Sequence, residues 1–176
     1  MTQTSALKSA SITNLDSTPV VPNSCGMGAP DRLRTVDDYV TTLSGDQTGS
    51  TYKVVRIPST AIVKSVVLES EAMTGGKFDI GLYYSDSAVD GTPSGVQGTL
   101  ISANFFATDV DCSSAVGPTN EVNQSGNYTL NLRAEPIWQA AGLSADPGGF
   151  LDVVLTCHTT AVTTGARIGL KVEYAE

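Results

Sequence analysis

The stretch Phe78-Asp79-Ile80-Gly81-Leu82-Tyr83-Tyr84 decides the fold class. Phe78, Ile80, Leu82 and Tyr84 recur at every second position, the period of a strand with one buried face; a helix would scatter them around its circumference. The same alternation returns near the C-terminus. Leu151, Val153, Leu155 and Cys157 alternate with Asp152, Val154, Thr156 and His158, and Ile168, Leu170, Val172 and Tyr174 alternate with Arg167, Gly169, Lys171 and Glu173. The short linker Thr159 to Gly165 predicts that these last two strands form a hairpin.

Working back toward the N-terminus, Ala61 to Leu68 is β-branched on both sides of the chain, as expected of a centrally placed strand covered on both faces. Thr51 to Ile57, stopped by Pro58, and Val36 to Leu43, closed by Ser44-Gly45-Asp46, are further strands. Leu100 to Thr108 and the alternating Tyr128, Leu130 and Leu132 complete the set. Asp86 to Gly98 and Asp109 to Gly126 read as polar loops, the places where a rigid scaffold usually makes its contacts. One short helix is expected where Pro136 can open a turn, Ile137, Trp138 and Ala141 share a side, and Gly142 can close it. Trp138 is expected to cover an open end of the sandwich.

Residues 1 to 34 differ from all of this. They are rich in Ser, Thr, Asn and Pro, and Leu7, Ile12, Leu15, Val20 and Val21 follow neither the helix nor the strand period. The segment reads as an extended N-terminal arm preceding a body at 35–176; its scattered apolar residues are candidate contacts with another surface, and a merely flexible terminus is the competing expectation. The fold class expected is therefore all-β: an antiparallel sandwich with one short helix and this arm.

The 176 residues suit one domain of ordinary size. Charged residues make up only 16%, and Thr and Ser take their place on exposed faces, which suits pleated strands better than helices. A net charge of −8 and a pI near 4.5 argue against nucleic acid and anionic membranes as partners. No stretch approaches the roughly 20 apolar residues of a membrane-spanning helix, and the N-terminal residues lack a secretory pattern, so a soluble product is expected. Cys25, Cys112 and Cys157 are odd in number and widely spaced, and are expected to be reduced thiols.

Chemistry-bearing patterns are sparse. Gly26-Met27-Gly28 has neither a following basic residue nor a strand-to-helix context, so it is no phosphate loop. His158, the single histidine, falls on an outward face with no carboxylate partner readable from the chain, which argues against a nucleophilic triad. Asp109 and Asp111 share a face at the start of a loop, and solvated turn carboxylates are expected there in preference to a weak calcium site. Asp37 and Asp38 point to opposite faces. Asn123 and Asn127 head glycosylation-like triplets of a kind common in Ser/Thr-rich chains. Of the tyrosines, Tyr39, Tyr52 and Tyr83 are the ones to watch as surface contacts, and Tyr83, facing away from the Phe78 side, is a candidate interface residue. No enzyme activity, cofactor or metal is expected.

Tyr52-Lys-Val-Val-Arg-Ile-Pro-Ser-Thr-Ala-Ile-Val-Lys-Ser-Val-Val-Leu-Glu-Ser-Glu-Ala, with the following Phe78-Asp-Ile-Gly-Leu-Tyr-Tyr, resembles small structural proteins of tailed bacteriophages that decorate or cement the capsid. Pro136-Ile-Trp-Gln-Ala-Ala-Gly-Leu-Ser-Ala-Asp-Pro-Gly-Gly and the C-terminal strands are similar to the same family, so the resemblance covers about 51–176. It implies a jelly-roll-like body, often a homotrimer, made in the host bacterial cytoplasm and seated on the outer capsid surface of the virion, where it binds the major capsid protein and clamps neighbouring capsomers. The competing expectation is a carbohydrate- or receptor-binding sandwich on a virion or tail, with its site in the loops Asp86 to Gly98 and Asp109 to Gly126.

Overall fold

A computed structural model describes residues 32–43, 46–86, 91–121, 126–158 and 163–176. Leu7, Ile12, Leu15, Val20, Val21, Cys25 and Asn123 lie outside the described residues. The described residues form eight strands: β1 Leu33–Thr41, β2 Thr51–Pro58, β3 Ile62–Ser70, β4 Lys77–Tyr84, β5 Leu100–Asp111, β6 Val116–Asn120, β7 Phe150–Cys157 and β8 Arg167–Ala175. They make two four-stranded antiparallel sheets in the orders β1-β8-β3-β6 and β2-β7-β4-β5. First pairs with last, second with seventh, third with sixth and fourth with fifth, the nested pairing of a long hairpin rolled up into a jelly roll. Leu33–Glu176 forms one compact unit.

The alternating residues form the layer between the sheets. Phe78, Ile80 and Leu82 from β4, Leu151, Val153 and Leu155 from β7, and Ile168, Leu170 and Val172 from β8 are wholly buried. Each such side chain contributes about 1.5–3 kcal/mol through apolar burial. β3 is an interior strand, as its β-branched run requires, and Lys64 on its outer side donates to the Arg133 carbonyl in a 3₁₀ turn at Leu132–Ala134.

Three expectations fail. β7 and β8 are no hairpin: they lie in opposite sheets, so the linker between them crosses from one layer to the other. Both strands have a fully apolar face, and a jelly roll buries those faces against each other instead of side by side. The segment at Tyr128, Leu130 and Leu132 is turn and 3₁₀ structure, not strand, and Leu130 is 79% exposed. Tyr128 keeps its inward place, packing its ring 5.3 and 5.1 Å from those of Phe105 and Phe106 and donating its hydroxyl hydrogen to the Leu132 carbonyl, and Leu132 packs partly buried against the core. Finally, Asp109 to Gly126 is not one loop. β5 runs on to Asp111, and β6 lies within the stretch as an edge strand, a place that tolerates its Gly117 and Pro118.

The helix expected after Pro136 is a single turn at Ile137–Ala140, here called α1. Its first amides donate to the carbonyls of Ala61 and Ser59, which seats it on the β2–β3 connection with Ile137 wholly buried and Trp138 half-buried. Gly142 ends it with φ +75°, its amide bonding to the Gln139 carbonyl and that of Leu143 to the Trp138 carbonyl, the paired bonds of a Schellman cap. At Gly81 in β4 a Cβ would sit only 2.4 Å from the Ala103 carbonyl oxygen, because the irregular first half of β5 folds closely over it.

Candidate interaction surface

The outer face of the β2-β7-β4-β5 sheet is closed by its own charges. Arg56 and Asp152 are direct cross-strand neighbours, and Arg56 Nε and Nη2 donate to Asp152 Oδ1 and Oδ2 at 2.6 and 3.0 Å. Asp152 is only 2% exposed, so this bidentate pair is what makes its burial tolerable. Arg56 and Lys53 both reach Asp86, whose carboxyl is held below the usual range chiefly by the Lys53 hydrogen bond. Tyr83 does face away from the Phe78 side, but it is half-buried and its hydroxyl lies 3.4 Å from Thr156 Oγ1. Tyr52 is a core residue instead of a surface contact, with its ring 5.9 Å from that of Phe78 and its hydroxyl donating to Asp46.

At the other end of this sheet His158 has the carboxylate neighbours that periodicity could not show. Its Nδ1 lies 3.2 Å from Asp109 Oδ1 and 4.0 Å from Asp79 Oδ1, while Lys77 Nζ holds Asp109 Oδ2 at 2.9 Å. Asp109 has φ +54°, and its amide donates to Asp79 Oδ1. The Lys77 hydrogen bond and then that of His158 hold the Asp109 carboxyl low. Among the described residues no serine, threonine or cysteine is hydrogen-bonded to this histidine, so the arrangement is an exposed charge cluster without a nucleophile. Asp111 accepts from the Ser113 amide, and among the described residues no group of three His, Cys, Asp or Glu could hold a metal ion. Asn127 donates to the Asn104 carbonyl and to Thr108 Oγ1.

The β1-β8-β3-β6 sheet is different. Its edge strand β1 is largely exposed, and Leu33, Tyr39 and, just past its end, Leu43 are 63%, 60% and 68% exposed. Arg34 and Asp38 fall in register with buried Tyr174 and Leu170, so charges interrupt the inward side of the strand, a device that blunts indiscriminate edge pairing. Beside β1 a shallow groove of about 410 Å³ runs over Gly169 and Val67, walled by Tyr39, Glu69, Arg167 and Lys171. Arg167 is engaged by Glu71 and Lys171 by Glu173, whereas Glu69 faces solvent. The exposed character of β1 was not legible in its sequence, since Val36 to Leu43 reads like any half-buried strand.

No family model matches the chain, and no curated protein matches it. Among solved structures it is similar to one described as the cyanophage Pam1 capsid asymmetric unit, at 16% identity and a TM-score of 0.41, over 91% of this chain and 96% of that one. A likeness at that identity and TM-score does not carry a function from one chain to the other.

Proposed function

We propose that this chain is a structural virion protein that binds the outside of a phage capsid and cements neighbouring capsomers. The observation that carries the reading is the β1 edge of the jelly roll, which shows Leu33, Tyr39 and, just past the strand, Leu43 to solvent; in the sequence it follows the segment that holds the irregular apolar residues Leu7, Ile12, Leu15, Val20 and Val21. Exposed apolar residues grouped along one edge fit a surface that is covered in an assembly. The residues that precede β1 serve as an extended arm and the rest as the body, in a homotrimer that engages the major capsid protein. Repeated footprints on a symmetric shell raise one another's effective concentration, and binding stabilises the assembled state by mass action. A surface of net charge −8 is compatible with a place outside a DNA-filled shell.

The test is sedimentation of the protein with mature phage shells, followed by heating. Bound protein should raise the temperature at which the shells rupture, and a chain lacking residues 1–32 should bind more weakly. Shells that neither bind the full chain nor gain heat resistance would remove the reading. A second reading, glycan or receptor binding, draws its support from Tyr39 standing exposed beside the groove over Gly169, since an aromatic ring flanked by carboxylates suits a sugar. Saturable binding to a glycan array, abolished by Tyr39→Ala and with no gain in shell stability, would favour it.

A further inference from the structure

Glu121 immediately follows β6 and is 5% exposed. Among the described residues nothing hydrogen-bonds to its carboxylate and no cation pairs with it. Burial pushes its carboxyl above the ordinary range. Its oxygens still meet solvent through the opening beside them, so the desolvation is partial, but no counter-charge within the described residues offsets it. What this side chain faces is a groove of about 360 Å³ at the side of the sandwich away from β1 and β2, between the edge strand of one sheet, β5, and the edge strand of the other, β6. Ala107, Val110 and Val116 supply an apolar lining, and Asp111 and Thr119 add polar groups.

We propose that this groove receives a lysine or arginine side chain from a partner protein, with Glu121 as its counter-charge and Asp111 beside it. The lining fits such a side chain along its length: the apolar stem lies on Ala107, Val110 and Val116 and the charged head reaches the carboxylates. A bare divalent cation fits less well, because the groove offers two carboxylates, of which Asp111 already accepts from the Ser113 amide. The chain's net charge of −8 steers basic surfaces toward it. Under the capsid reading the partner is the shell protein; that identity rests on the reading, while the cation-accepting chemistry rests on the groove alone.

The experiment compares the full chain with Glu121→Gln and Asp111→Asn in three measurements: thermal unfolding, NMR titration with Nα-acetyl-argininamide as the probe, and binding to phage shells. Glu121→Gln keeps the shape and removes the charge, so the free protein should melt at a higher temperature, the argininamide-dependent shifts around residues 107–121 should vanish, and shell affinity should fall at least tenfold. Asp111→Asn should weaken the probe shifts without abolishing them. A lower melting temperature for Glu121→Gln, or unchanged probe shifts, overturns the proposal. So does a saturable calcium response that Glu121→Gln removes while argininamide gives none. If wild type binds shells and Glu121→Gln binds equally well, the groove has no part in docking and the capsid reading stands. If wild type binds no shells, that reading fails and the argininamide titration alone decides the groove.

Discussion

Asp152 and Glu121 are two carboxylates buried to nearly the same degree, 2% and 5% exposed, in two regions that treat them in opposite ways. On the outer face of the β2-β7-β4-β5 sheet, Asp152 sits opposite Arg56 in register and accepts two hydrogen bonds from it. At the seam between β5 and β6, Glu121 has no such partner among the described residues and opens into a groove. The first region is electrostatically complete within the chain. The second is complete only if something outside supplies a positive charge, or if the carboxyl keeps its proton.

The contrast breaks most visibly at Arg56. Arg56→Met leaves Asp152 buried and unpaired, and should destabilise the protein by about 2–4 kcal/mol in urea unfolding. Replacing Asp152 by Leu in the same background should recover much of that loss, since two apolar groups of similar size leave nothing unsatisfied.

Next in size is the opposite response at Glu121, where Glu121→Gln should stabilise the free protein by about 1 kcal/mol at neutral pH. The sign follows from linkage. The Glu121 carboxyl is raised by burial above its ordinary value of 4.5, so below 4.5 it is protonated in both folded and unfolded chains and exacts no charge penalty. As pH climbs from 4.5 through the raised folded value, the unfolded chain loses its proton first and stability falls. Melting curves of wild type between pH 4 and 8 should therefore carry a decline that Glu121→Gln lacks. The exposed Glu71 and Asp86, held low first by Arg167 and Lys53 hydrogen bonds respectively, act in the other direction: their stabilisation is present above the ordinary carboxylate range and is lost as pH falls below it. Solvent screening keeps that contribution small.

The smallest effect belongs to the exposed cluster at His158. His158→Gln should leave the melting temperature unchanged within the resolution of a thermal scan, and raising the salt concentration should not alter that result, because such surface pairs are already weak. A large loss would mean that Asp109, with its positive φ, depends on the histidine for its conformation.

Legibility in the sequence followed the physics of each segment. Phe78, Ile80 and Leu82, Leu151, Val153 and Leu155, and Ile168, Leu170 and Val172 are buried as their period-two spacing requires, because a strand places alternate side chains on one face whatever its neighbours are. β6 leaves little trace in the sequence, because an edge strand needs few apolar residues and tolerates proline. Leu130 was misplaced because three alternating residues match the strand period by chance; the 3₁₀ turn that follows and the docking of Tyr128 on Phe105 and Phe106 depend on contacts far away in the chain. Glu121 was invisible, since a single acid in a polar stretch gives no sign of burial.

Local spacing and local backbone conformation are enough to give the all-β class, most of the strands, their inward faces and the Gly142 helix stop. Which strand lies beside which follows from long-range pairing. Alternation specifies a face but is silent on the neighbour across the ladder, so β7 and β8, consecutive and each with one apolar face, read as a hairpin although they belong to facing sheets. The same long-range pairing made β1 an exposed edge and gave Asp152 its arginine, and it brought β5 and β6 together at the groove where Glu121 stands without a partner among the described residues.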